Sequence, residues 1–462
     1  MNRRLRWGLA FGSVLLTSAF SAGCNPCEDL GDVYICGTFG NLSFATELGW
    51  GGPSVQWPPV ATDSSSVLLS NGQELTEVDP QGLTTPAQFF DGTVSAPSLD
   101  SDGRVYLVQA GWADTQVVAS GPHGPDASVW TQPVGGDIST TPPTIGNGQI
   151  HVALTSPDRS AWSLLSLDAD SGEVTTERDD TSPTAVAADG SLRYLVEAQD
   201  CGASYNGLVA EDPDGSIRWR HDEPMGIRDF APGPDGETYL VTGDRVLRRV
   251  GSDGSAEWSF APDCADCNVA AAPTVTDDAL YFPVWQGFAQ NGGCNEETPP
   301  MGQDSLDPLY ALRRDGSLMW VYDGFETMAN RHNSGDPTGG LLMLSMNSKV
   351  RHHPAGRPTI ADDGTLFVAC DGAVVALSPE GKELGYAMYQ PSAGENRTSN
   401  GLLLSSTFNN AVFTPAPMLA PSGSLYVWDG MMLRGFDVGK PAARIPWNAP
   451  FGGYRNAGRV GG

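Results

Sequence analysis

The feature that most constrains this chain is that it repeats itself. From residue 57 onward a unit recurs that opens on Pro, runs through a few apolar residues, turns at Asp-Gly or a relative, and continues into a short β-rich run. SAPSLDSDGRVYLV begins at Ser95, TPPTIGNGQIHVAL at Thr141, SPTAVAADGSLRYLV at Ser182 and APGPDGETYLV at Ala231. APTVTDDALYFPV, RPTIADDGTLFVA and APMLAPSGSLYVW follow from Ala272, Arg357 and Ala416, and a degenerate copy opens at Pro58. An aromatic residue or His stands three places after the turn Gly at Tyr106, His151, Tyr239, Phe367 and Tyr426. A second half-unit follows most copies, as in AEDPDGSIRW, RVGSDGSAEW and ALRRDGSLMW, with Trp219, Trp258 and Trp320 four residues after a turn Gly. Glycine at a hairpin tip permits positive φ, and the flanking runs alternate apolar and polar at period two. Two hairpins per copy make four strands. Outside the two widest gaps, the marker prolines are spaced about 40 to 50 residues apart, the size of one propeller blade.

Composition agrees. The 462 residues include 56 Gly and 35 Pro, only 18% are charged, and 40% are hydrophobic. Gly and Pro in those numbers exclude a coiled coil or helix bundle, and the apolar content is too high for disorder. A four-stranded sheet cannot bury both faces alone, whereas radial packing of several sheets can, and it also protects their edges. The fold class expected is therefore an all-β propeller of four-stranded blades, eight from the count of copies or seven if the first is irregular. The net charge of −29 argues against nucleic acid and anionic lipid surfaces as partners.

The paired half-units resemble the repeats of the PQQ-like, quinoprotein-dehydrogenase-like β-propellers, whose motif reads A-x-D-x-x-[TS]-G-x-x-x-W. Ser166–Thr176 carries Asp168, Ser171 and Gly172 in place, with Thr176 where Trp belongs. Ala210–Trp219 matches with one residue deleted, and Ala311–Trp320 likewise, with Arg313 replacing the Asp. The resemblance implies a Trp docked between adjacent blades. In the family's enzymes it further implies a quinone held by a vicinal Cys-Cys pair, a stacking Trp and calcium.

The first residues carry an address. Arg3, Arg4 and Arg6 precede an apolar run from Trp7 to Phe20 that is too short to span a bilayer, and then Ser21, Ala22, Gly23 and Cys24. This resembles a bacterial lipoprotein signal, with residues 1–23 removed and Cys24 acylated; an ordinary secretory signal with Cys24 in a disulfide is the alternative. Residues 24–56 then form an N-terminal segment and 57–462 the propeller. The expected location is the cell envelope. The chain is held by the lipid anchor alone, on the outer membrane, because Asn25 is not the Asp that resembles an inner-membrane retention signal. A monomer is expected.

The chain has eight cysteines, and an oxidising envelope pairs them. Cys27 and Cys36 are expected to close a small loop. Cys264 and Cys267 form a CxxC followed by Asn268, so it is not a haem-attachment motif, and both are expected to pair with Cys201 and Cys294. With Cys24 acylated an odd number remains, so at least one thiol has no intramolecular partner.

In a propeller the B–C and D–A connections emerge on one face and the A–B and C–D turns on the other. That assignment gathers the long insertions, residues 286–308, 324–356 and 390–413, together with Cys201, Cys264, Cys267 and Cys294, on a single face. Long loops on a rigid scaffold are where binding concentrates. The candidate binding face is marked by His332, Asp336, Arg351, His352 and His353. Their spacing matches no metal motif, since adjacent His352 and His353 point to opposite sides of an extended chain. Asp168/Asp170, Asp212/Asp214 and Asp362/Asp363 resemble fragments of calcium loops but lack the EF-hand spacing, so turn-capping is expected of them and no cofactor is assigned. The reading is a non-catalytic envelope lipoprotein whose loop-rich face binds envelope proteins or a ligand. The alternatives are a quinoprotein-type dehydrogenase, against which the missing Cys-Cys pair weighs, and a hydrolase or lyase with a site at the central channel.

Overall fold

The computed structural model describes most of residues 59–286, 308–330, 347–388 and 417–442, with short gaps. It also describes the backbone of strands Glu28–Asp29, Tyr34–Ile35 and Asn41–Glu47. Every regular element among the described residues is a β-strand, every pairing between strands is antiparallel, and no helix is long and apolar enough to cross a membrane.

The repeats fold as the hairpin pattern requires. Val60–Ala61, Val67–Ser70, Glu74–Val78 and Gln88–Phe89 make the first four-stranded sheet in simple up-and-down order. In the next sheet the inner strand is split into Thr93–Val94 and Ser98–Leu99, both paired to Val105–Ala110, which continues to Thr115–Ser120 and Ser128–Val134. The third repeats that plan over residues 137–179. The fourth and fifth copies share one long strand, Ile217–Pro232, which closes one meander and opens the next, so together they form a seven-stranded sheet over residues 181–260. Further sheets follow over residues 267–322 and 359–388.

The closing sheet draws on both ends of the chain. Met418–Leu419, Ser424–Trp428 and Met432–Asp437 supply its inner strands, and Asn41–Glu47 pairs antiparallel along Met432–Asp437 from Asn41↔Asp437 to Glu47↔Met432. The sheet thus takes its outer strand from upstream of residue 57, where the repeats begin. The strand Asn41–Glu47 carries no turn Gly and no marker Pro, so it leaves no repeat signature.

Apolar clusters sit between successive sheets and close into a cycle. Leu68 and Leu75 meet Leu99 and Leu107; Tyr106 and Val117 meet Ile150 and Leu165; Leu164 meets Val186 and Tyr194. Leu208, Leu240 and Phe282 belong to one continuous core, and Tyr281 and Leu309 meet Leu366 and Val375. Phe367 and Val374 pack on Leu425 and Phe436, and Met418, Tyr426 and Trp428 pack back on Val67 and Leu69 of the first sheet. The Tyr426 hydroxyl donates to the Ser65 carbonyl across that last seam. Every sheet of four or more strands is therefore covered on both faces, and each depends on two neighbours.

The marker prolines stand at or just before the innermost strands, edge positions that need no amide donor. Where a hydroxyl residue follows the proline, it can link blades around the channel. Ser98 Oγ donates to the Pro143 carbonyl at 2.6 Å, Thr144 Oγ1 to Thr184 O at 3.2 Å, and Thr274 Oγ1 to Pro358 O at 2.9 Å.

On the outer strands tryptophan does the equivalent work. Trp219 Nε1 donates to Ser252 O at 2.8 Å, Trp258 Nε1 to Arg314 O at 3.0 Å and Trp320 Nε1 to Pro379 O at 2.8 Å, each on the C–D turn of the following copy. The turn must leave room for the indole: a Cβ at Gly254, where φ is +83°, would lie 2.9 Å from the Trp219 ring. Trp130 docks in the same way on Ala169 O at 3.0 Å, although no turn Gly four residues earlier announces it. Tyr106, Tyr239 and Tyr281 stand 5.8 to 6.1 Å, centroid to centroid, from Trp130, Trp258 and Trp320. In the fourth copy that position is Arg193, fully buried, with its guanidinium 5.0 Å from the centre of the Trp219 ring and Nη2 donating to Gly236 O. Where Thr176 replaces Trp, an ion pair takes over: Arg178 meets Glu211 of the next sheet, and Tyr194 donates to the same carboxylate at 3.0 Å. Burial pushes the His151 imidazole down to about 3, with the charge of Arg178 adding to the effect, so the ring is neutral and shares a hydrogen bond with Ser166 Oγ.

Candidate functional site

Strand order decides which connections share a face. The insertion at 286–308 joins Ala279–Gln286 to Leu309–Arg313, second strand to third. Those at 324–356 and 390–413 follow the outer strands Leu318–Tyr322 and Glu383–Met388 and precede the inner strands Thr359–Ile360 and Met418–Leu419. All three therefore leave from the same side, as the repeat register predicts. The second of them opens and closes as a β-ribbon, Phe325–Asn330 paired with Asn347–His352, rather than as a plain loop. Arg351 and His352 are at the base of this ribbon, opposite Glu326 and Phe325. His332, Asp336 and His353 lie outside the described residues, as do Cys24, Cys27, Cys36, Cys201 and Cys294. Strands Glu28–Asp29 and Tyr34–Ile35 pair with each other, Glu28 opposite Ile35.

The cysteine pairing expected for the CxxC is corrected. Cys264 and Cys267 are bonded to each other, not to Cys201 and Cys294. A tight turn, with Cys267 N donating to Cys264 O, brings their Cα atoms to 5.4 Å, within ordinary disulfide reach. The bridge lies on the connection into the sixth copy, its Cys264 sulfur 3.7 Å from the Tyr310 hydroxyl. Cys370 is buried in the seventh copy.

Beside this staple, at the channel end of the same face, charged side chains gather. Asp229, near the start of the fifth copy's inner strand segment, accepts from the Ala272 amide at 2.8 Å and pairs with Arg357. One carboxylate thereby ties the fifth copy to the entries of the sixth and seventh. On the same side of the fifth copy, Arg248 pairs with Glu223 and Asp244, and Asp244 also accepts from Thr242 Oγ1. Arg228 and Arg245 complete the group. Arg228 is the extra residue of a β-bulge, since Ile227 opposes Thr242 while Asp229 opposes Val241. Arg245 occupies the tip of the second-to-third strand turn with φ +62°. Burial lowers both guanidinium groups, Arg245 to about 10, and the charge of Arg228 lowers Arg245 further.

None of these arginines was legible as a site residue. Arg228, Arg245 and Arg248 belong to a short repeat copy with no insertion, and the grouping depends on a bulge and on three neighbouring copies meeting at the channel. The sequence signal was the Arg228 before marker Pro232, a position where no sister copy carries a basic residue.

Among the described residues no three His, Cys, Asp or Glu side chains gather as a metal site. The carboxylates that resembled calcium-loop fragments cap turns: Asp168 Oδ1 accepts from the amides of Asp170 and Ser171, and Asp214 from that of Ser216. These hydrogen bonds hold the Asp168 and Asp214 carboxyls below the usual range.

No protein-family model matches the sequence, and no curated protein matches it. Solved structures do match the fold. BamB from Moraxella catarrhalis superposes with a TM-score of 0.51 at 11% identity, covering 85% of this chain and 100% of that one. Quinohemoprotein alcohol dehydrogenase from Comamonas testosteroni gives 0.54 at 13% identity over 90% of this chain and 78% of the enzyme. The quinohemoprotein alcohol dehydrogenase ADHIIG from Pseudomonas putida HK5 gives 0.53 at 11% over the same shares. The fold is the β-propeller that these structures share.

The residues present do not fit the quinone that such enzymes carry. The sequence has no adjacent cysteines, and its CxxC pair is bonded internally. Trp130, Trp219, Trp258 and Trp320 each commit the indole to a neighbouring turn on the outer strands, away from the channel.

Proposed function

We propose that this chain is a non-catalytic, eight-bladed propeller lipoprotein of the bacterial envelope. Acylation of Cys24 tethers it to the outer membrane, and the insertion-bearing face binds envelope proteins or a ligand. The observation that carries the reading is the distribution of connections. Every long insertion, the Cys264–Cys267 staple and the Asp229–Arg357 strap leave from one side of the ring, while the opposite side has short turns capped by their own Asp side chains. A scaffold that serves only to hold itself together has no use for such asymmetry. The similarity to BamB, which covers the whole of that chain, supports the propeller architecture.

The test replaces residues 331–346 with a short turn joining Asn330 to Asn347, which leaves both ribbon strands in place. Affinity capture from envelope extracts, compared between the intact and shortened proteins, is expected to lose at least one specifically retained component. Identical retention by the two would contradict the assignment of binding to this face.

A further inference from the structure

Two arginines on the insertion face have no counter-ion among the described residues. No hydrogen bond or ion pair reaches the guanidinium of Arg228 or Arg245 among the described residues, and the Nε of each is buried without a partner. The other arginines with an unpartnered Nε differ in this respect: Arg193, Arg248 and Arg249 all bond through their remaining nitrogens, to Gly236 O, Asp244 and Glu257. We propose that Arg228 and Arg245 form a binding site for an oxyanion, a carboxylate or phosphate group on a small ligand that reaches this face.

Charge supplies the first argument. The chain carries 55 Asp and Glu against 26 Lys and Arg, so acids to neutralise an arginine are abundant. Three on the same side of the fifth copy are engaged elsewhere: Asp229 by Arg357 and the Ala272 amide, Asp244 by Thr242 and Arg248, Glu223 by Arg248 and the Met225 amide. Two like charges are left half-buried beside each other. This arrangement is unfavourable for the empty protein, and an anion between them relieves it.

Backbone geometry supplies the second. Bulges re-aim a side chain out of the regular alternation, and Arg228 is the bulged residue. A non-glycine residue at φ +62° is held there by its surroundings, and the Arg245 carbonyl is fixed by the Val269 amide at 3.0 Å. Both departures from regular structure bring cations to the same rim. The planar guanidinium fork suits carboxylate and phosphate oxygens equally, which is why the ligand is defined by that shared chemistry.

This inference rests on the insertion face being the binding face, but it is tested on the purified full chain without any partner. Isothermal titration and thermal unfolding would be run with inorganic phosphate and with malonate, at an ionic strength held constant with chloride. Saturable binding of either probe, with a raised unfolding temperature, is expected. Phosphate alone would indicate a phosphorylated ligand, and malonate alone a carboxylate. In the double variant R228Q/R245Q the affinity should fall at least tenfold, while the unfolding temperature without anion holds or rises, because uncompensated like charges have been removed. R249Q, which removes a guanidinium paired with Glu257 outside this group, should bind as the parent does. No saturable binding of either probe to the parent, or equal binding by the double variant, would overturn the proposal. An unchanged capture profile after loss of 331–346 would leave this titration standing.

Discussion

Trp219→Ala is expected to destabilise the protein by about 3–5 kcal/mol, the range for truncating a buried large aromatic residue. Trp219 is only 7% exposed and joins two copies through three contacts: its indole N–H on Ser252 O, its ring face over Gly254, and the Arg193 guanidinium on its other side. Removing it also leaves the fully buried Arg193 without the ring it lies against. Gly254→Ala attacks the same contact from the turn, and two costs combine there. A left-handed conformation costs a non-glycine residue roughly 1–2 kcal/mol, and the new Cβ would lie 2.9 Å from the indole. In the double variant the indole is gone, so only the conformational cost remains. Urea unfolding of the four proteins should therefore show a cycle in which the two losses sum to more than the double variant loses. Strict additivity would mean that Trp219 and Gly254 do not meet.

Deleting residues 1–47 is expected to cost at least about 3 kcal/mol, at the severe end of what a single change does, and to produce soluble oligomers. Asn41–Glu47 pairs along the full length of Met432–Asp437, and without it that strand becomes an open edge with unsatisfied donors and acceptors. The effect does not stop at one strand. The closing sheet packs on the first sheet through Met418, Tyr426 and Trp428, and on the seventh copy through Leu425 and Phe436. Loosening it opens both seams of the ring. Deleting only residues 1–40 retains the strand and should leave the unfolding temperature unchanged. Size-exclusion chromatography and thermal unfolding of the two truncations distinguish these outcomes.

Much of the fold could be read from local chemistry. The Asp-Gly turns, the period-two runs and the Trp four residues beyond a turn Gly are short-range signals, and each produced the expected hairpin or docked indole. What failed were features that depend on distant partners. Trp130 follows a longer connection and lost its marker. Arg193 takes an aromatic slot because a guanidinium can also lie flat on Trp219. Asn41–Glu47 belongs to the last sheet although nearly four hundred residues separate it from its partner strand, and a single strand carries no repeat signature. The CxxC closed on itself because a tight turn outweighs more remote partners, which no spacing rule reveals. The candidate site follows the same logic. The insertions could be assigned to a face by counting strands, whereas Arg228 and Arg245 become a pair only through a bulge and a turn that sequence patterns do not specify.

The central claim is that the chain forms a closed ring fastened by its own N-terminal strand, and native-state hydrogen exchange followed by mass spectrometry tests it most directly. Peptides covering Asn41–Glu47 should exchange as slowly as those covering Met432–Asp437, and both should lose protection together as denaturant is added. Rapid exchange of 41–47 at the rate of an unstructured segment, while 432–437 stays protected, would contradict it.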